Sequence, residues 1–189
     1  MKKMSDEEYA RKLTEQVIAQ GADRAAVLAV SEIELDAGFR SLCESNACGN
    51  YGRCWMCPPD AGDIEELMEE IRTYENALVY QTIGLLEDSY DIEGMAAAAE
   101  KHNSLSQSLK GLFEEEDFTK VLHLGAGGCH LCPVCAKVDG LPCRRPEDAI
   151  SSLETYGINV SKLAAACGMK YINGQNTVTY FGAVFYFRK

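Results

Sequence analysis

Two hydrophobic rhythms alternate along the chain: one of period near 3.6, which suits helices, and one of period two or an unbroken apolar run, which suits strands. The first is clear at the start, where Ser5 and Glu8 form a capping-box pattern and Ala10, Leu13 and Val17 share a face until Gly21. Ala25 to Leu35 begins as a continuous apolar run and ends in alternation, which predicts the first strand. Asp60 and Asp63 then precede a stripe of Ile64, Leu67, Met68, Ile71 and Tyr74, so a helix is expected over 62–75. Asn76 and the apolar run Ala77 to Leu86 predict a second strand. Asp91 opens a long helix carrying Ile92, Met95, Ala99, Leu109, Leu112 and Phe113, and the acidic residues 114–117 read as its solvated end.

Val121 to Leu124 predict a short third strand. Pro146 suits the first position of a helix, with Glu147 and Asp148 behind it, and Ile150, Leu153 and Tyr156 face inward until Gly157. Asn159 caps a further short helix in which Val160, Leu163 and Cys167 share a face, so Cys167 reads as core packing. Asn173-Gly174 marks a turn before Thr177 to Phe187, a strand rich in β-branched and aromatic residues. The expected architecture is a single α/β domain over residues 1–189, with a mainly parallel sheet of about four strands flanked by helices. Each of two cysteine-rich loops follows a strand, which places both at the C-terminal edge of such a sheet and makes them neighbours.

Charge narrows the partners. A net charge of −11 and a pI near 4.7 argue against a phosphate-binding face, so nucleic acid is not expected as a partner. No run of eighteen apolar residues occurs and the first residues lack a signal-peptide core, so no membrane partner and a cytoplasmic location are expected. In a reducing compartment, nine cysteines bunched in two places point to metal instead of a disulfide framework.

The second bunch carries the stronger signal. Cys129, Cys132 and Cys135 repeat every third residue on a loop loosened by Gly127, Gly128 and Pro133, and Cys143 returns after Pro142. Three such thiolates can wrap three corners of a cubane and the fourth can close it, the opening that bacterial ferredoxins use. Zinc accepts four cysteines too, more often as two separated Cys-x2-Cys knuckles. The reading is one [4Fe–4S] cluster here, a second as an option in the first bunch, and zinc as the alternative. His130 sits inside this loop, where a role around the ligands or facing solvent is expected, and Arg144 and Arg145 place positive charge beside Cys143. The first bunch, Cys43, Cys48, Cys54 and Cys57, has spacings that match no single metal motif, although Gly49 and Gly52 let the sulfurs converge. Cys54 reads either as a fourth ligand or as a buried thiol without a role, and Trp55 as a shield against water.

The combination of Cys43, Cys48-Gly49-Asn50-Tyr51-Gly52 and Cys57-Pro58-Pro59, then Cys129-x2-Cys132-x2-Cys135, Pro142-Cys143-Arg144-x-Pro146 and Asn173-Gly174-x-Asn176-Thr177, resembles a family of prokaryotic predicted metal-binding proteins of unknown function. The resemblance implies metal binding by these cysteines and supplies neither substrate nor reaction. It covers Cys43, Cys48 and Cys57 of the first bunch but not Cys54, so that bunch closes with four cysteines or with three and an outside ligand.

Three function classes remain. One is an iron–sulfur protein passing electrons to or from a redox partner protein. Another is a structural or regulatory zinc module in which the metal serves to fold the loops. An iron–sulfur enzyme is the third, and the chain shows no nucleotide-binding glycine loop, no Gly-x-Ser-x-Gly and no haem attachment motif to support it.

Overall fold

The computed structural model describes residues 5–113 and 118–189, so the acidic stretch 114–117 lies outside the described residues. Its elements in chain order are α1 (Asp6–Ala19), β1 (Arg24–Ala29), α2 (Phe39–Glu44), α3 (Ile64–Arg72), β2 (Asn76–Leu85), α4 (Ile92–Phe113), β3 (Phe118–Gly125), β4 (Ser151–Ser152), α5 (Val160–Ala166) and β5 (Thr177–Arg188). The strands form one sheet in the order β1-β2-β5-β3-β4.

Period-two alternation divides the core. On β2, Leu78 and Tyr80 face one way and Ala77 and Val79 the other; on β5, Val184 and Tyr186 oppose Phe181, Ala183 and Phe185. The first face is covered by Leu13 and Val17 of α1 and by Leu105, Leu109 and Phe113 of α4. The second carries Leu67 and Ile71 of α3, Leu163 of α5, and Leu153 and Ile158 from the segment between β4 and α5. The capping box at Ser5 and the side-chain cap of Asn159 form as expected, and Asp63, expected only as an acid suited to the helix dipole, caps a helix that starts at Ile64.

The sheet is mostly antiparallel, a correction to the mainly parallel expectation. β1 with β2, β2 with β5 and β5 with β3 are antiparallel, and only the short β3–β4 pair is parallel. The parallel reading treated α3 as the crossover of a βαβ unit. Instead Ala29, the last residue of β1, pairs with Asn76, the first of β2, so residues 30–75 leave and return at the same end of the sheet. Consequently β1 and β3 point in opposite directions, and their loops do not share an edge through strand direction.

The first cysteine loop reaches the second by another route. After a 3-10 turn at Val30–Glu32, the chain crosses the sheet face and forms a bridge between Leu35 and Ile158. Asp36 N donates to Gly157 O at 2.7 Å, which locks that crossing. Gly157 has φ +75, and a Cβ there would meet the Met68 side chain at 3.0 Å and the Asp36 carbonyl at 3.2 Å, so only glycine fits.

A second correction concerns the helix expected from Pro146 to Gly157. Residues 145–149 form a turn, Ser151–Ser152 pair with Leu124–Gly125, and a 3-10 turn spans Glu154–Tyr156. Strand pairing takes the backbone, since Leu153 N donates to Gly125 O, and the two serine hydroxyls are engaged elsewhere, Ser151 to Met56 O and Ser152 to Thr155. Side chains that satisfy loop backbone in this way compete with a helix. The first strand is also shorter than predicted, because Val30 N turns to donate to Glu75 O.

Candidate metal centre

Tight turns in each loop aim the sulfurs. In the first, Cys43 lies in α2, Asn46, Gly49 and Gly52 adopt positive φ, and Tyr51 N donates to the Asn46 side chain at 3.0 Å. Gly52 N donates to Pro58 O at 2.9 Å, folding the loop back on itself and burying Cys54 and Cys57, which are 4% and 7% exposed. In the second, Gly127 at φ +69 turns the chain out of β3, and Cys135 leads into a 3-10 turn at Ala136–Asp139 that ends at left-handed Gly140. Arg144 Nη1 donates to Val134 O at 2.9 Å and draws Cys143 back toward the Cys129 segment.

Four interactions join the loops. Trp55 Nε1 donates to Leu141 O at 2.9 Å, and Ser151 Oγ donates to Met56 O at 3.0 Å. Lys137 forms an ion pair with Asp60, both side chains largely shielded, and its ammonium stands 4.2 Å from the centre of the Trp55 ring. Gly128 marks the closest approach: a Cβ there would lie 2.9 Å from Asn50 Nδ2 and 3.4 Å from Cys57 Sγ. Trp55 therefore lies across the seam between the loops. The sequence does not single out Lys137 and Ser151, and it marks Asp60 and Asn50 only as a helix-start acid and a motif position; nothing in local periodicity marks residues that act across such a distance.

Cys54 sits where the two cysteine groups meet. Its thiolate is favoured by the Cys57 thiol, by the backbone N–H groups of Met56 and Cys129, and by Cys135. The Cys57 contact is the largest influence and holds Cys54 well below the ordinary thiol range, against burial that acts the other way. Cys57 is driven upward by the same hydrogen bond, by burial, and by the charges of Cys54, Cys48 and Cys43. The two thiols therefore titrate as one pair. Cys129 is raised chiefly by burial, while the backbone N–H groups of Leu131 and Ile150 oppose that rise and Cys54 adds to it. Cys43 is raised chiefly by burial, and Arg40 works against it.

Within the first bunch Cys54 and Cys57 are buried next to each other, Cys43 is half-buried and Cys48 exposed, and Gly128 of the second loop lies against Cys57. Cys132 is half-buried and His130 exposed on the same loop. Cys167 stays apart: it packs against the core, where burial pushes its thiol up to about 11, in line with its reading as a packing residue. The signal that could have placed Cys54 is its Cys-x2-Cys spacing with Cys57.

Among the described residues no three or more His, Cys, Asp or Glu side chains stand as a formed metal site. The chemistry of the donors fits a thiophilic metal all the same. All nine cysteines are free, and Cys54 and Cys57 are buried side by side where the two loops meet, an environment in which a cation can replace thiol protons. The family model described as "Predicted metal-binding protein (DUF2284)" matches residues 26–186. The chain belongs to this DUF2284 family. The matched span contains both cysteine loops and leaves out α1. No curated protein and no solved structure matches the chain.

Proposed function

We propose that this DUF2284 protein is an iron–sulfur protein that exchanges electrons with a partner protein. The observation that carries the reading is the meeting of the two cysteine groups at Cys54, which assembles more thiols than one tetrahedral ion requires. Cys129, Cys132, Cys135 and Cys143 would hold one [4Fe–4S] cluster; Cys43, Cys48 and Cys57, with Cys54 beside them, would supply a second centre. Bound there, such a cluster supplies reversible one-electron transfer.

The chain's own residues supply the setting. Backbone N–H groups of Leu131 and Ile150 favour the Cys129 thiolate, and hydrogen bonds of this kind set the potential of thiolate-bound iron. Arg144, tied to Val134 O, holds a positive charge inside the loop, whereas Arg145 is paired with Asp148. Trp55, stacked under Lys137, limits water at the seam. Val134, Val138 and Leu141, 57%, 45% and 53% exposed, surround the second loop and give a partner an apolar surface to dock on.

Zinc is the second reading, favoured by one contact set. Cys57 and Cys135 both favour the Cys54 thiolate, and a zinc ion with Zn–S bonds of about 2.3 Å needs sulfurs drawn close together. Visible absorption and electron paramagnetic resonance of the anaerobically purified protein, before and after dithionite, separate the two. A brown protein that bleaches and gains a paramagnetic signal supports iron–sulfur; a colourless one holding zinc overturns it.

A further inference from the structure

A cleft of 790 Å³ lies between the flank of α4 and the Gly125–Leu131 segment, with Cys129 and His130 at one side. It exists because both walls are built from small residues, Ala96 and Ala99 on the helix against glycines on the loop. Its volume falls within the range of small-molecule sites.

The polar lining has a definite bias. Glu100 is its one side chain with a formal charge at neutral pH, and neither lysine nor arginine lines the cavity. Gln107 donates its Nε2 to Asp148 O at 3.1 Å, which leaves its carbonyl oxygen as the available end. Asn103, one turn away and half-buried, adds a carboxamide. Asn103, Ser104 and His130 can donate as well as accept, so the bias rests on Glu100, the one formal charge of the lining, which repels an anionic ligand and favours a cationic donor.

We propose that this cleft binds a small aliphatic amine, its ammonium directed to Glu100, Asn103 and Gln107 and its hydrocarbon part on Ala96, Ala99 and Ile150. The ligand would lie against the Cys129 loop, beside the candidate metal centre. Occupation of the cleft does not depend on which metal, if any, the cysteines hold.

The test is calorimetric titration of the full-length, anaerobically purified protein with 1,4-diaminobutane, at about 0.15 M salt so that diffuse attraction to an acidic protein is screened. Butane-1,4-diol is the uncharged control. The diamine is expected to bind and the diol not. Glu100→Gln should weaken the diamine by roughly tenfold or more, the scale of one lost charge-assisted hydrogen bond. Ala99→Leu should abolish binding by filling the cleft. Glu93→Gln, on the first turn of the same helix and outside the cavity, should leave it unchanged. Absence of diamine binding, equal binding of the diol, or equal losses in Glu93→Gln and Glu100→Gln would overturn the assignment. Metal analysis of each sample keeps the two proposals separate: amine binding to a protein without metal would sink the metal reading alone, and a metal-loaded protein that ignores the diamine would sink this one alone.

Discussion

The indole N–H of Trp55 donates to the carbonyl of Leu141 at 2.9 Å, a contact between two loops separated in sequence by α3, β2, α4 and β3. With the Lys137–Asp60 pair and the Ser151–Met56 hydrogen bond it makes one cysteine-bearing unit of two distant segments. Replacing Trp55 by Phe keeps an aromatic ring under Lys137 and removes the donor. The expected loss is about 1 kcal/mol of stability in urea unfolding, the usual worth of one such bond, with easier release of metal to a chelator. Unchanged chelation kinetics would show that the seam does not hold the site.

Gly128 tests the same closure sterically. A methyl group at its Cβ meets the Asn50 amide, which can swing aside, but the branched side chain of Gly128→Val must also displace Cys57 Sγ, 3.4 Å from the Cβ position. This variant should keep its far-ultraviolet circular dichroism and lose metal. Full metal content in Gly128→Val would mean the loops part without consequence.

Gly157 fixes the crossing that brings the first loop over the sheet. Gly157→Ala places a side chain at φ +75 and pushes on the Asp36 carbonyl, so a destabilisation of about 1–3 kcal/mol is expected from thermal or denaturant unfolding. Stability equal to the parent would show that the crossing relaxes freely.

The other face predicts a pH dependence. His102 is 1% exposed, its Nδ1 bonded to Thr82 Oγ1 at 2.8 Å and its ring between Tyr80 and Tyr180, and burial lowers it to about 4. Between about pH 6.5, where the unfolded histidine titrates, and pH 4, the unfolded chain binds a proton that the folded one refuses. Stability is therefore retained above pH 6.5 and falls as pH drops through that window, by up to about 1.4 kcal/mol per pH unit from this residue. His102→Gln should flatten the slope relative to the parent; equal slopes would remove His102 as its source.

Parts of this arrangement were legible in the sequence and parts were not. Ser5 and Asn159 announced their helices because a cap is a local hydrogen bond, and β2 and β5 announced themselves through apolar runs with turn residues at their ends. Strand direction was not legible, since the alternation of Leu78 and Val79 is the same whichever way a neighbour runs. Pro146 and the acidic pair behind it gave a helix start that the pairing of Ser151 with Leu124 overrode. Of the site, the cysteine spacings marked the loops, and the expected neighbourhood of the two groups holds by a different route, through the Leu35–Ile158 bridge instead of a shared sheet edge. The position of Cys54 between the groups depends on contacts with Cys129 and Cys135 that no spacing encodes.

The central claim is that both cysteine loops bind metal, and metal content of single variants tests it most directly. Iron, zinc and acid-labile sulfide should be measured per chain, under anaerobic conditions, in the parent and in Cys54→Ser, Cys135→Ser and Cys167→Ser. Metal should fall in both Cys54→Ser and Cys135→Ser, one from each loop, and stay at the parental value in Cys167→Ser, whose sulfur packs against the core. A parent without metal, or parental content in both Cys54→Ser and Cys135→Ser, would contradict it.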